Sequence, residues 1–508
     1  MNNFSQQRQT LVNILAAIIV FTINTGINLL LSPFIVRTLG VSANGYIQLA
    51  NNFITYASLV TIALNSMSSR FITVEYHQKN INKAKEYYTS VFIGNIVILI
   101  ISLIISIIIL AYLPDLITIP QDMVISVKVL FATIFLNYFI TIGTPDWSVV
   151  AFATGKVYIQ SIANILSNII KAIIIVIMYS FLPTNLFFVG VAATAATIAL
   201  KLYMFYKKSK LLPELTIERK SIKFDAIIEL ISSGIWNTVN QVGILLSQGL
   251  DLLISNIMLG SAEMGILSLV KMFPTLMSSF SSTLMSVFAP NLTIYYAKQQ
   301  KEKLISEIYK ASKLSTCILT LPFTWFMCFG TSFFRLWVPS QNAEELQILS
   351  IISCIGLVFT MGIQVLYQIF TTVNKLKLNS LVFLVTSFLS FTFTIILVNY
   401  TDLGLIAICG ISSFFNILKN LFFVVPFSAK YLGLKSNTFY PLVFQSIRVV
   451  SVLLVTGFFL SKLLIVNSWI TLLLSIVLFG GLGLLINFFT LLNENERMEL
   501  LRVFTKER

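Results

Sequence analysis

Residues 38–53 read TLGVSANGYIQLANNF, and residues 258–273 read MLGSAEMGILSLVKMF. The two stretches share a Leu-Gly pair, a second glycine, a leucine and a phenylalanine at a constant offset of 220 residues. The offset continues downstream, where Thr73 and Tyr76 match Thr293 and Tyr296 and a basic segment follows each copy. We therefore predict an internal repeat.

The repeat lies in a chain with the composition of a membrane protein. Of its 508 residues, 57% are hydrophobic and 11% charged, with a mean hydropathy of +0.89. A soluble protein is about 45–50% apolar and about 25% charged. The net charge of +14 comes from short segments between apolar runs, which is typical of membrane topology. No nucleic-acid partner is expected.

Apolar runs long enough to cross a membrane, about 20 residues each, recur along the whole chain. They predict about fourteen transmembrane helices in an all-α polytopic protein. The predicted spans are 11–36, 45–68, 89–113, 126–147, 158–181, 186–206, 227–258, 265–290, 311–334, 346–371, 380–399, 404–427, 441–465 and 470–492. The first of them is too long for the apolar region of a cleavable signal peptide.

The basic residues predict the orientation of these spans. With the N-terminus inside, 24 of the 34 Lys and Arg residues fall in inside segments, and only Arg37 and Arg335 fall outside. The rest lie within spans. A miscounted span would invert every later segment and remove this asymmetry, so the positive-inside rule supports both the count and the orientation. We expect a multi-pass protein of the cytoplasmic (inner) membrane with both termini cytoplasmic.

The repeat divides the chain. Six spans per repeat is an even number, so both copies enter the membrane in the same direction. This predicts two six-helix lobes related by a pseudo-two-fold axis along the membrane normal, followed by two additional helices. The predicted divisions are 1–206 for the N-terminal lobe, 207–226 for a cytoplasmic inter-lobe loop, 227–427 for the C-terminal lobe, and 428–508 for the last two helices and a cytoplasmic tail.

Polar residues follow one face of several spans. At 100° per residue, the polar residues of span seven fall within an arc of about 100°, and spans one, two and eight show similar stripes. Because polar side chains in lipid should face protein or a water-filled cavity, spans 1, 2, 7 and 8 are predicted to line a hydrated cavity. The candidates are Asn24, Asn28, Asn51, Asn52, Asn240, Gln241 and Gln248. The alternative is that they hydrogen-bond across packed helices.

Charged residues within spans refine this prediction. The candidates are Lys171 in span five, Lys271 in span eight, Asp251 in span seven and Lys419 near the inner end of span twelve. An excess of cations suits an anion such as a phosphate or pyrophosphate. A Lys271–Asp251 ion pair is the alternative, and it would leave Lys171 as the main contact to an anion.

Enzyme chemistry is not predicted. The outside segments near 114–125 and 335–345 are short, and no DxD, HExxH, GxSxG or Walker-type motif occurs. The only histidine, His77, lies in a charged loop, and the four cysteines have no metal-ligand spacing. We therefore expect no catalytic residue, no metal site and no cofactor.

Several stretches resemble a known family. SPFIVRTLG at 32–40, the Gly45-Tyr46 pair, SRFI at 69–72, SGIWN at 233–237 and GLDLL at 249–253 resemble the polysaccharide-exporter branch of the multidrug/oligosaccharidyl-lipid/polysaccharide (MOP) superfamily. The resemblance covers essentially the whole chain. It implies a flippase for undecaprenyl-pyrophosphate-linked oligosaccharides that works by alternating access around a cavity of spans 1, 2, 7 and 8. The implied partners are the lipid-linked glycan, membrane lipid, and glycan polymerase and assembly proteins.

Two related functions remain as alternatives. A multidrug exporter of the same superfamily usually has twelve spans and carboxylates for cationic drugs, whereas this chain has fourteen predicted spans and lysines. A lipid II flippase belongs to a sister branch, although the stripe on span one here contains amides rather than arginines.

Overall fold

The computed structural model describes residues 3–156, 158–373, 375–494 and 496–498. Regular structure within these ranges is helical, with no strand. The predicted all-α polytopic fold is confirmed.

The described residues contain twenty-one α-helices, which are numbered in chain order. The first twelve are α1 Asn3–Leu39, α2 Val41–Asn65, α3 Ser68–His77, α4 Ile81–Ala111, α5 Leu113–Leu116, α6 Val124–Gly143, α7 Val149–Ala153, α8 Tyr158–Phe181, α9 Phe188–Leu211, α10 Phe224–Ile244, α11 Asp251–Met258 and α12 Ser261–Val270. The others are α13 Met272–Ala297, α14 Lys301–Trp337, α15 Ala343–Thr360, α16 Leu366–Thr372, α17 Leu376–Tyr400, α18 Leu405–Lys419, α19 Val425–Tyr431, α20 Tyr440–Leu463 and α21 Trp469–Leu491.

The helices coincide with the predicted spans. Thirteen stretches of described helix are long and apolar enough to cross a membrane, and they match predicted spans two to fourteen. The first predicted span, 11–36, lies within α1. The main difference is length: α14 begins at Lys301, ten residues before the predicted span at 311. Hydropathy identifies only the apolar part of a helix. The N-terminal part of α14, before residue 311, is an amphipathic surface helix.

The side chains are arranged as lipid requires. In α4, Ile101, Ile104 and Ile108 are each more than half exposed, whereas Ser102 and Ser106 are buried. A water-soluble helix would bury the isoleucines. Lipid accepts them on the surface, and small polar residues pack inside, where helices approach closely and hydroxyl groups find partners.

The chain divides into two compact units, residues 1–268 and 269–508. In the first unit, α2 packs against α10, α8 packs against α1 and α9, and α6 packs against α9. In the second unit, α14 packs against α13, α20 and α21, and α18 packs against α15 and α17. The division of the chain into lobes 1–206 and 227–427 concerns the repeat rather than this packing, and it stays a prediction.

The repeated glycines occupy matching turns. Gly40 follows α1 and precedes α2 with φ +90°, and Gly260 follows α11 and precedes α12 with φ +108°. Only glycine adopts such angles without steric cost. The Leu-Gly pair of each copy therefore ends one helix and begins the next, as the sequence repeat indicates.

Candidate functional site

Helix α8 has an apolar face and a polar face. Four of its exposed residues are apolar and lie on one side: Ile162, Leu166, Ile169 and Ile173. Its partly buried polar residues lie on the opposite side: Gln160, Asn164, Asn168 and Lys171. We call this second set the amide–lysine stripe. The spacing of four, four and three residues keeps the stripe on one face, directed away from lipid and into the first unit.

Lys171 is the charged member of the stripe. It is partly buried, and among the described residues it makes no hydrogen bond or ion pair. A lysine near the middle of a membrane helix costs about 2.5–3.5 kcal/mol on insertion scales. No acid pairs with it in the described part of the chain, so water or an anionic ligand would stabilise its charged form.

The other members of the stripe were not predicted from the sequence. Gln160 donates to the Oδ1 of Asn164 at 3.3 Å, and the nearby Ser167 donates to the carbonyl of Ala196 in α9 at 3.1 Å. The signal was present in the regular spacing of the amides that precede Lys171. From the sequence only Lys171 was identified, and the amides that precede it were missed.

The predicted polar face of span seven is partly accessible. Asn240 and Gln241 are half-buried in α10, and Gln248 is exposed. In the described part of the chain, the side chains of Asn240 and Gln241 form no hydrogen bond. Free amides on a membrane helix can bind water or sugar hydroxyl groups, and they do not fit the alternative of hydrogen bonds between helices.

Asn52 hydrogen-bonds to a neighbouring helix, which is the alternative to lining a hydrated cavity. Residues 245–249 form a single π-helical turn between α10 and α11, and such a turn leaves carbonyl groups without their usual helical partners. The carbonyl of Gly249 accepts from Tyr56 Oη at 2.6 Å and from Asn52 Nδ2 at 3.2 Å. These bonds join α2 to the break in span seven.

The remaining amide candidates differ in their surroundings. Asn51 is exposed and donates to the carbonyl of Ile47 in its own helix at 2.9 Å. Asn24 is exposed on α1. Asn28 lies in the same helix, but its side chain is outside the described part of the structure.

Asp251 and Lys271, which could form an ion pair instead of binding substrate, both lie at helix junctions. Asp251 is 5% exposed at the first position of α11. Lys271 is half-buried between α12 and α13, where its carbonyl accepts the Thr275 hydroxyl at 2.8 Å. Both side chains have polar or electrostatic contacts. A bond between the two remains a prediction.

Lys419 is enclosed by aromatic rings. It is 9% exposed, with its Nζ 4.1 Å from the ring centre of Phe383 and 5.3 Å from that of Tyr367. Ring faces attract a cation, more strongly when water is excluded. Lys419 therefore has a local structural explanation that Lys171 lacks.

The repeated turns meet each other inside the first unit. A Cβ added to Gly45 would lie 3.0 Å from the Cα of Gly265, and one added to Gly265 would lie 2.5 Å from the carbonyl oxygen of Val41. Asn44 Nδ2 donates to Ser268 Oγ at 2.7 Å. The two copies of the motif thus pack backbone against backbone, which only glycine permits at these positions.

A second set of bonds secures the same end of the helices. Asn256 is fully buried, its Oδ1 accepts from the Thr118 N–H at 2.8 Å, and its Nδ2 donates to the Thr118 carbonyl at 3.1 Å. Tyr46 Oη donates to the same carbonyl at 2.6 Å. We call these bonds and the contact between residues 41–45 and 264–268 the turn clamp. By the predicted topology it lies on the outside.

The opposite, predicted cytoplasmic side holds the inter-lobe loop. Lys85 Nζ lies 2.6 Å from Glu218 Oε1, and its hydrogen bond holds the pKa of that carboxyl below its ordinary value. Ser90 Oγ donates to the Lys223 carbonyl at 3.1 Å and accepts from the Lys223 N–H at 3.0 Å. The loop between the predicted lobes is therefore docked on α4.

Comparisons with known proteins agree with this architecture. The sequence pattern of a family described as polysaccharide biosynthesis protein matches residues 10–294. The uncharacterized membrane protein EpsK of Bacillus subtilis (strain 168) is 27% identical over 428 residues, which are 84% of this chain and 85% of that protein.

Solved structures show the same fold. An inward-facing multidrug resistance MATE family transporter of the MOP superfamily matches with a TM-score of 0.67 at 14% identity, over 82% of this chain and 94% of that one. A MOP superfamily transporter from Pyrococcus furiosus Vc1 (DSM3638) matches with a TM-score of 0.62 at 14% identity, over 84% and 96%. At this identity the likeness supports the fold alone.

Proposed function

We propose, from the premise that the chain belongs to the polysaccharide biosynthesis protein family of the MOP superfamily, that it flips an undecaprenyl-pyrophosphate-linked oligosaccharide across the cytoplasmic membrane. The oligosaccharide would be a repeat unit of O-antigen, capsule or exopolysaccharide. The family and the fold are those of a transporter. The lipid-linked substrate is the further step of this proposal.

Lys171 is the observation that carries the proposal. It is a lysine without an acidic partner among the described residues, on the interior face of a membrane helix and beside three amides. An anionic phosphate or sugar acid would neutralise the ammonium, and amides bind sugar hydroxyl groups. A lipid-linked glycan supplies both chemistries in one molecule.

Alternating access supplies the mechanism. In this proposal the lobes 1–206 and 227–427 move relative to each other, and the turn clamp is a contact that must open when the substrate leaves on the outside. Asn240, Gln241, Gln248, Asn24 and Asn51 belong to the substrate path, whereas Asn52 holds the break in span seven. Lys271 and Asp251 are assigned to the path as well, Lys419 to its inner end, and Asn28 by its predicted place in the stripe on α1.

The rival functions fit the charges less well. Cationic drugs need carboxylates in the binding cavity, whereas the residue that carries this proposal, Lys171, is a lysine. A lipid II flippase shares the chemistry of a pyrophosphate-linked sugar, so the two flippases differ in the glycan and not in the proposed role of Lys171.

Both termini and the loop around 207–226 are placed in the cytoplasm by this proposal. A single cysteine replacing Lys210, in a variant without the four native cysteines, should remain unlabelled by an impermeant maleimide in intact cells and react after permeabilisation. Asp115→Cys, in the predicted outside segment and exposed, is the matched control that should react in intact cells. Labelling of the first variant without permeabilisation would exclude this topology.

The function itself is tested by transport. Purified protein in liposomes should move a labelled lipid-linked oligosaccharide to the opposite leaflet, and protein-free liposomes should not.

A further inference from the structure

A groove runs along the lipid-facing surface between α14 and α21, in the second unit. Its volume is about 730 Å³, within the range of about 300–1,000 Å³ typical of ligand sites. From α14 it is lined by Lys310, Lys313, Leu314 and Cys317 at spacings of three, one and three residues. From α21 it is lined by Gly481, Leu484, Leu485 and Phe488 at the same spacings. Each helix therefore contributes one continuous face.

The groove is as deep as one leaflet of a bilayer. Along α21 it extends from Gly481 to Leu491, roughly 15 Å at 1.5 Å per residue, which is about half of the 30 Å hydrocarbon core. Leu314 and Leu485 on its rims are 44% and 59% exposed. Its walls therefore face acyl chains directly, and its depth matches the chains of a single leaflet.

The mouth of the groove is charged. Lys313 Nζ lies 2.7 Å from both carboxylate oxygens of Glu496, so those two charges neutralise each other. Lys310 is exposed and has no ion pair or hydrogen bond among the described residues. Among the residues that line the groove, Lys310, Lys313 and Glu496 together carry one net positive charge, at the end that the predicted topology places at the cytoplasmic membrane surface.

We propose that this groove binds an anionic phospholipid of the inner leaflet. The acyl chains lie along Leu314, Gly481 and Leu485, and the phosphate lies beside Lys310. Basic residues at the cytoplasmic end of a cleft between membrane helices recognise acidic headgroups in this way. The longer polyprenyl chain of the transported glycan would exceed a groove only one leaflet deep.

Gly481 supplies a direct way to fill the groove. A Cβ added to Gly481 meets nothing within 4 Å, so Gly481→Leu fits the fold and places its side chain where the acyl chain would lie. Lys310→Ala removes the positive charge that is not in an ion pair with Glu496. Lys303→Ala is the matched control, because Lys303 is an exposed lysine of the same helix that does not line the groove.

Native mass spectrometry of the full-length protein measures the binding. Dioleoyl phosphatidylglycerol and dioleoyl phosphatidylcholine, which share their acyl chains, are titrated separately into each variant. The wild type and Lys303→Ala should prefer phosphatidylglycerol. Lys310→Ala should weaken phosphatidylglycerol binding about five-fold, which corresponds to roughly 1 kcal/mol per basic residue at a membrane surface. Gly481→Leu should weaken the binding of both lipids.

Two results would overturn the proposal. One is an unchanged preference for phosphatidylglycerol in Lys310→Ala, a result that stands even if Gly481→Leu fails to fold. The other is displacement of phosphatidylglycerol from the wild type by an equimolar amount of undecaprenyl phosphate, which would assign the groove to the transported lipid instead.

Discussion

Replacing Lys171 by methionine is expected to reduce glycan export strongly while the protein stays folded and abundant. Methionine keeps an unbranched side chain, one atom shorter, and removes the charge. The unneutralised ammonium costs free energy in the membrane, so Lys171→Met should have a thermal unfolding temperature equal to or above that of the wild type. Hydrogen bonds to charged groups contribute about 1.5–3 kcal/mol, which corresponds to a loss of export of about ten- to a hundred-fold.

Two further variants separate a role in binding from a role in folding. Lys171→Arg retains the charge and should keep part of the export. Lys462→Ala removes a lysine that is exposed near the end of α20, with its Nζ 4.4 Å from the ring centre of Phe458, and export should stay normal. The measurement is the amount of surface glycan per molecule of protein in complemented cells. Normal export by Lys171→Met would contradict the assignment of an anion site.

Linking the two copies of the repeated turn should stop transport completely. Asn44→Cys and Ser268→Cys place thiols at the ends of the 2.7 Å bond, in a background from which the four native cysteines have been removed. A short cleavable bifunctional thiol reagent would hold the turn clamp shut. Alternating access requires two arrangements of the same contacts, so export should fall to background and return when the link is cleaved.

A control link should have no such effect. Ser90 of α4 and Lys223 of the inter-lobe loop are joined by two hydrogen bonds, away from the turn clamp. A cysteine pair at these positions, linked by the same reagent, should export at the rate of the unlinked protein. Full export by completely linked Asn44→Cys/Ser268→Cys would show that the turn clamp need not open.

The sequence was sufficient for the features that depend on local pattern. Apolar runs predicted the helices because each must be about the thickness of the membrane. The Leu-Gly pairs indicated an internal repeat, and Gly40 and Gly260 of these pairs both occupy turns with positive φ. The close contact of Gly45 with Gly265 was not predicted, since a repeat shows that two segments are alike and not that they touch.

Angles around a single helix could not decide which polar residues are free. Asn52 and Asn240 both lie on predicted polar faces, yet Asn52 bonds to the carbonyl of Gly249, which the π-helical turn makes available. Lys419 lies between rings contributed by α16 and α17, and no pattern within α18 indicates them. Lys171 differs because its surroundings provide no partner among the described residues.

Transport by the purified protein tests the central claim most directly. Liposomes would carry a fluorescent undecaprenyl-pyrophosphate-linked oligosaccharide in both leaflets, and an impermeant quencher added outside would report the outer pool. With wild-type protein, the inner pool should become accessible over time, and with Lys171→Met it should remain protected as in protein-free liposomes. An inner pool that stays equally protected with well-folded wild-type protein would contradict the assignment of this chain as a flippase for lipid-linked glycans.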